Sequence, residues 1–92
     1  MVTPSVLIFQ NKSIATSAWV SDTAYEDYPY KTNISCSGVD TNYFPEVAFN
    51  MVDATSGLFS PIAESGSGIV TIWASEIPDH AVVINIKCSK AG

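Results

Sequence analysis

Two apolar runs near the end of the chain, Gly68 to Ser75 and Val82 to Ser89, constrain its fold more than any other feature. The second run alternates. Val82, Ile84, Ile86 and Cys88 fall on one side, and Val83, Asn85, Lys87 and Ser89 on the other. A period of two is the signature of a strand with one buried face. The first run is rich in β-branched and aromatic residues, which suit a pleated surface. Ile69, Thr71 and Trp73 lie on one side and Val70, Ile72 and Ala74 on the other, so both faces are largely apolar. Such a strand is expected to be covered on both sides, by its own fold or by another subunit. Pro78 and Asp79 cannot continue a central strand and belong in a turn. The two runs are therefore expected to form a hairpin.

The rest of the chain repeats this grammar. Ser5 to Gln10 reads as a short first strand, Asn11-Lys12 as a turn, and Ser13 to Val20 as a second strand with Ile14, Ala18 and Trp19 packing. Ser21 to Pro29 carries three carboxylates, two tyrosines and a proline, and reads as an exposed loop. Tyr30, Thr32, Ile34 and Cys36 then alternate with Lys31, Asn33 and Ser35, which predicts a further strand. Residues 37–42 are rich in turn formers. Glu46 to Val52 alternates again, and residues 53–57 break it. Leu58 to Glu64 fits either one helical turn capped by Ser56 or a short edge strand containing Pro61. The sum is an all-β fold: a small antiparallel β-sandwich or barrel of six to seven short strands.

Ninety-two residues make one domain, residues 1–92, in which residues 1–12 are either a first strand or an N-terminal arm. A core of that size gives marginal stability unless a disulfide, a metal or a partner subunit adds to it. Charged residues make up 14% of the chain, well below the usual quarter, which suits a surface partly hidden in an assembly. The net charge is −5, with only four basic residues. Phosphate binding needs clustered lysine and arginine, so no nucleic-acid partner is expected, nor an anionic membrane. No apolar run reaches bilayer-spanning length. The first residues lack a basic stretch, and no signal peptide is expected.

Cys36 and Cys88 each sit in a strand-like run on its apolar side. They read either as two buried thiols acting as small hydrophobes or as a disulfide across a sandwich. No second His or Cys stands at zinc-ligand spacing around His80, so neither a metal site nor a cofactor is expected. Asp22, Glu26 and Asp27 match no calcium-loop spacing and read as a solvated loop. Nothing places a particular serine beside His80, so no catalytic group is assigned and the chain is expected not to be an enzyme. The aromatic residues Tyr25, Tyr28, Tyr43 and Trp73 are the candidates for ligand binding, because exposed rings beside carboxylates and amides suit sugars. The competing reading is that these rings cap the ends of a small sandwich.

The order of short motifs resembles that of small β modules in the fibre, baseplate and head-fibre (capsid decoration) proteins of tailed phages and prophages. It is carried by Ala18-Trp19, Tyr28-Pro29-Tyr30, Ser37-Gly38-Val39, Pro45-Glu46-Val47, Pro61 to Glu64, Gly68-Ile69, Trp73-Ala74 and Pro78, from about Ile14 to Lys90. The resemblance implies a non-enzymatic virion structural protein, made in the bacterial cytoplasm and displayed on tail or capsid. It also implies a homotrimer that contacts other virion proteins, with host surface carbohydrate as a further partner. Leu7, Phe9 and Ile72 are then the residues expected at the subunit interface. The alternatives are a carbohydrate-binding module and an immunoglobulin-like domain bridged by Cys36 and Cys88.

Overall fold

The computed structural model describes residues 5–90, so the first four residues of the expected N-terminal arm lie outside the described residues. The strands are β1 (Val6–Ile14), β2 (Val20–Ser21), β3 (Tyr30–Ser35), β4 (Phe44–Phe49), β5 (Phe59–Gly66), β6 (Ile69–Ala74) and β7 (Val82–Ser89). A 3-10 turn, Thr16–Ala18, follows β1, and one short helix, α1 (Met51–Thr55), joins β4 to β5. The strands form two antiparallel sheets, β1-β7-β4 and β2-β3-β6-β5. The chain is thus the small all-β sandwich that its periodicity predicts.

The expected hairpin does not form. β6 pairs with β3 and β5 in the four-stranded sheet, whereas β7 pairs with β1 and β4 in the other. The connection from Ser75 to Ala81 crosses from one sheet to the other. It is longer than the turns of two to five residues that usually close a hairpin, and Pro78 is buried within it. Each run is therefore a central strand of its own sheet.

The strand order is that of the immunoglobulin constant-type sandwich, with one rearrangement. β2, β3, β6 and β5 take the places of its strands A, B, E and D, and β4 and β7 those of C and F. β1 fills the place of the last strand, G, so the first strand of the chain pairs with the last. Val6 stands opposite Ser89, and the Lys90 N–H donates to the Ser5 carbonyl (2.9 Å).

The core lies between the sheets. Val82, Ile84, Ile86 and Cys88 of β7 face Ile34 of β3 and Val70, Ile72 and Ala74 of β6, all buried. Trp19, Phe59 and Phe49 fill the end near α1; Phe59 lies 4.4 Å from Phe49 and 5.9 Å from Trp19, centroid to centroid. Both thiols are free and fully buried. Burial pushes both above their ordinary value, and the proximity of Cys36 raises Cys88 further. The second of the two readings of the cysteines, a cystine, is not what the structure contains.

The Asn11-Lys12 turn and the strand reaching Val52 differ from expectation, and the segment after Leu58 takes one of its two expected forms. Asn11-Lys12 is not a turn but a bulge in one continuous strand. The register slips between Phe9 and Lys12, Asn11 takes φ +56°, and its N–H donates to Asn85 Oδ1 (2.9 Å). Asparagine tolerates that left-handed conformation better than most residues. The strand expected to reach Val52 stops at Phe49, because the Asn50 side chain accepts from the Asp53 N–H (2.9 Å) and caps a helix instead. Met51 and Val52 consequently point to solvent. The ambiguous segment after Leu58 is the edge strand β5, whose register shifts between Phe59 and Ala63, around Pro61.

Candidate functional site

The four aromatic residues singled out for ligand binding do not converge on one surface. Tyr43 is 2% exposed and packs in the core, with Lys90 Nζ 4.9 Å from its ring centroid. Trp73 is 3% exposed. Tyr25 and Tyr28 are half-buried in the loop between β2 and β3. Only Tyr25 and Trp73 touch, edge to face with centroids 4.9 Å apart.

That contact explains the two apolar faces of β6. The loop folds over the outer face of its own sheet and covers Trp73. Its polar atoms are satisfied locally. The Trp73 indole Nε1–H donates to Asp22 Oδ2 (2.9 Å), the Tyr25 hydroxyl donates to Glu64 Oε1 (2.7 Å), and the Thr71 hydroxyl donates to Asn33 Oδ1 (2.6 Å). Asp22 also accepts from the Ala24 N–H and pairs with Lys31 at 3.3 Å. The indole bond, the Ala24 N–H and Lys31 together hold the Asp22 carboxyl below its ordinary value. The cluster is a plug that seals a sheet face with rings and saturated polar groups.

The residues expected at a subunit interface also divide. Ile72 is 2% exposed and points between the sheets, so it is a core residue and unavailable to a neighbouring chain. Leu7 and Phe9 point inward from β1 and are half-buried against the core. It is their neighbours Val6 and Ile8 that face out.

Among the described residues no loop covers the outer face of the three-stranded sheet. Strand register places Val6, Ser89 and Phe44 in one row across it, and Ile8, Lys87 and Glu46 in the next. Ile8 is 63% exposed and Phe44 70%. Val83 adds a further half-exposed apolar side chain at the far end. Between them lies a recess of about 390 Å³ lined by Ile8, Gln10, Glu46, Ala48, Asn85 and Lys87.

A second concavity opens sideways into the core, between the free edges of β4 and β5. It has a volume of about 460 Å³, walls of Val47, Phe49, Phe59 and Ile72, and two carboxylate residues, Glu46 and Asp53. Asp53 sits on α1 and is 2% exposed. It meets His80, which arrives from the crossing between β6 and β7, 27 positions later: His80 Nε2 lies 2.7 Å from Asp53 Oδ1, and Nδ1 2.8 Å from Asp79 Oδ1. Ionised carboxylates only accept, so this pairing favours the form of His80 in which both ring nitrogens carry a proton and donate. The hydrogen bonds to Asp79 and Asp53 raise it above its ordinary value of 6.5. In sequence, Asp53 reads only as part of a strand break and nothing assigns His80 a partner. Asn50 followed three residues later by an acid is a helix-start pattern that does mark α1. No local signal joins Asp53 to His80.

These shifts set a pH window. The folded pKa of His80 lies above its unfolded value. Its contribution is therefore complete below about pH 6.5 and is lost as pH rises through the folded value. Asp22 is depressed, so its contribution is complete above about pH 3.8 and is lost as pH falls through the folded value. Thermal unfolding should show greatest stability between these limits. His80→Gln should flatten the alkaline limb; an unchanged slope in that variant would refute the assignment.

Among the described residues no group of three or more His, Cys, Asp or Glu side chains is arranged to hold a metal ion, and no helix is long and apolar enough to cross a membrane. The chain matches no protein-family model, no curated protein and no solved structure.

Proposed function

We propose that this chain is a non-enzymatic structural module that assembles with copies of itself, of the kind that tailed phages carry on fibres, baseplates or capsids. One observation carries the reading: the sandwich covers the outer face of one sheet with its own loop but leaves Val6, Ile8, Phe44 and Val83 exposed on the other. Apolar side chains gathered on one face mark an interaction surface. Glu46 and Lys87 stand directly opposite each other in the middle of that face. A second copy can therefore set its lysine against the first copy's glutamate, which makes another copy of this chain the fitting partner. A homotrimer is the state implied by the resemblance to fibre modules. The engagement of both His80 nitrogens supports a non-catalytic role, because neither is left to take a proton from a substrate.

Light scattering on a sizing column tests this. The parent chain should run as an oligomer at micromolar concentration. Ile8→Lys, at an exposed position, should shift it to monomer while the fold stays intact. A parent that remains monomeric at about 100 μM, where an interface worth about 6 kcal/mol would be populated, removes the reading.

A further inference from the structure

β1 ends the three-stranded sheet, and among the described residues no strand pairs with its outer side. Antiparallel pairing alternates: every second residue turns its backbone N–H and C=O to the partner, and the residues between turn theirs away. The Lys90 N–H donates to the Ser5 carbonyl. Leu7 and Phe9 share the parity of Ser5, in a register unbroken as far as Phe9. Val6, Ile8 and Gln10 therefore present their N–H and C=O groups at the free edge. Natural sheet edges are usually blunted by charge, by proline or by shortness. The other three edges carry such features: β2 has two residues, β4 holds Pro45 and Glu46, and β5 shifts register around Pro61. β1 has nine residues, and its half before the bulge, Val6 to Gln10, holds neither charge nor proline. Its inward side chains Leu7 and Phe9 pack on the core yet are only half-buried.

We propose that the free edge of β1 binds β1 of a second copy, antiparallel about a two-fold axis at Ile8, so that two three-stranded sheets merge into one of six strands. This rests on the reading that copies of the chain self-assemble, and it names one contact by which they do so. Ile8 is the midpoint of Val6 to Gln10, the uncharged stretch that ends where Asn11 breaks the register. The two-fold sets Ile8 opposite Ile8 of the second copy, Val6 opposite Gln10 and Leu7 opposite Phe9. The three residues with unused edge groups then exchange N–H···O=C bonds with one another. Leu7 and Phe9 gain cover on their open side, and no charge meets a like charge in this register. A two-fold contact closes on itself, so it adds to contact through the sheet face and does not replace it.

Amide hydrogen exchange of the full chain, followed by NMR at concentrations where it is assembled and where it is monomeric, tests the contact without any substitution. In the assembled chain the amides of Val6, Ile8 and Gln10 should exchange at least about tenfold more slowly than in the monomer, whereas Leu7 and Phe9 should be protected in both. A charge exchange tests the register. Ile8→Lys and Ile8→Glu change an exposed position, and each variant should run as a monomer where the parent assembles, because like charges meet across the two-fold. Mixed in equal amounts, the two variants should associate at least about fivefold more tightly than either does with itself. An assembled parent whose Val6, Ile8 and Gln10 amides exchange as freely as in the monomer overturns the proposal and leaves self-assembly through the sheet face standing. A mixture no tighter than either variant alone overturns it as well. A parent that stays monomeric at about 100 μM removes both readings.

Discussion

Ile84→Ala is expected to lower the unfolding free energy by about 2–5 kcal/mol, enough to unfold much of a domain this small at ordinary temperature. Ile84 is 1% exposed on β7, the central strand of the three-stranded sheet, and faces the core. Truncation loses the transfer free energy of the removed carbons and leaves a void that neighbours on two sheets cannot fill. Collapse of the void is hindered because β7 is hydrogen-bonded on both sides, opposite Lys12 and Phe49 at this position. Val83→Ala, one residue earlier and facing out, should cost about 1 kcal/mol or less. Denaturant titration at low protein concentration reads both. Similar losses at the two positions would mean that β7 does not bury one face and expose the other as described.

Trp73→Ala is expected to cost about 3–5 kcal/mol, although Trp73 lies outside the space between the sheets. Its indole is covered by Tyr25 from the β2–β3 loop and donates to Asp22 in the same loop. Removing it takes away the surface against which that loop is ordered. Amides of residues 22–29 should then lose exchange protection while the core strands keep theirs. Trp73→Phe should be milder in stability, because a ring still meets Tyr25, but it deletes the largest cause of the lowered Asp22 pKa. The acid limb of the stability profile should accordingly flatten in the phenylalanine variant. A Trp73→Ala chain within about 1 kcal/mol of the parent, with residues 22–29 unaltered in exchange, would show that the loop is held by other contacts.

Strand content and strand facing were legible in the sequence because they are local. A period of two needs only neighbouring residues, and the sides assigned to β3 and β7 are the buried and exposed sides of the structure. The doubly covered β6 was legible for the same reason, although not what covers it: Tyr25 reaches Trp73 across 48 positions of chain. The aromatic set reads either as a binding site or as caps on the sandwich, because tyrosines in a polar loop are ambiguous. Whether a ring stacks on a ligand or on its own sheet depends on where the loop folds, and here it folds inward.

Pairing is a different matter. Two strands near in sequence, separated by a proline-containing link, are consistent either with a hairpin or with a crossing between sheets. The alternation of β6 and β7 is the same in both cases. Burying both inner faces against each other, rather than side by side in one sheet, decides between them. That choice is made by the whole core. The same holds for β1 in the place of the last strand, for Ile72 inside rather than at a subunit contact, and for the meeting of His80 with Asp53. The sequence by itself determined that this is a small all-β chain, which side of each main strand is apolar, and that its surface carries few charges. Only the tertiary structure decided which strands pair, which aromatic rings are sealed and which sheet face is left bare, because those depend on contacts between residues far apart in the chain, to which no local periodicity responds.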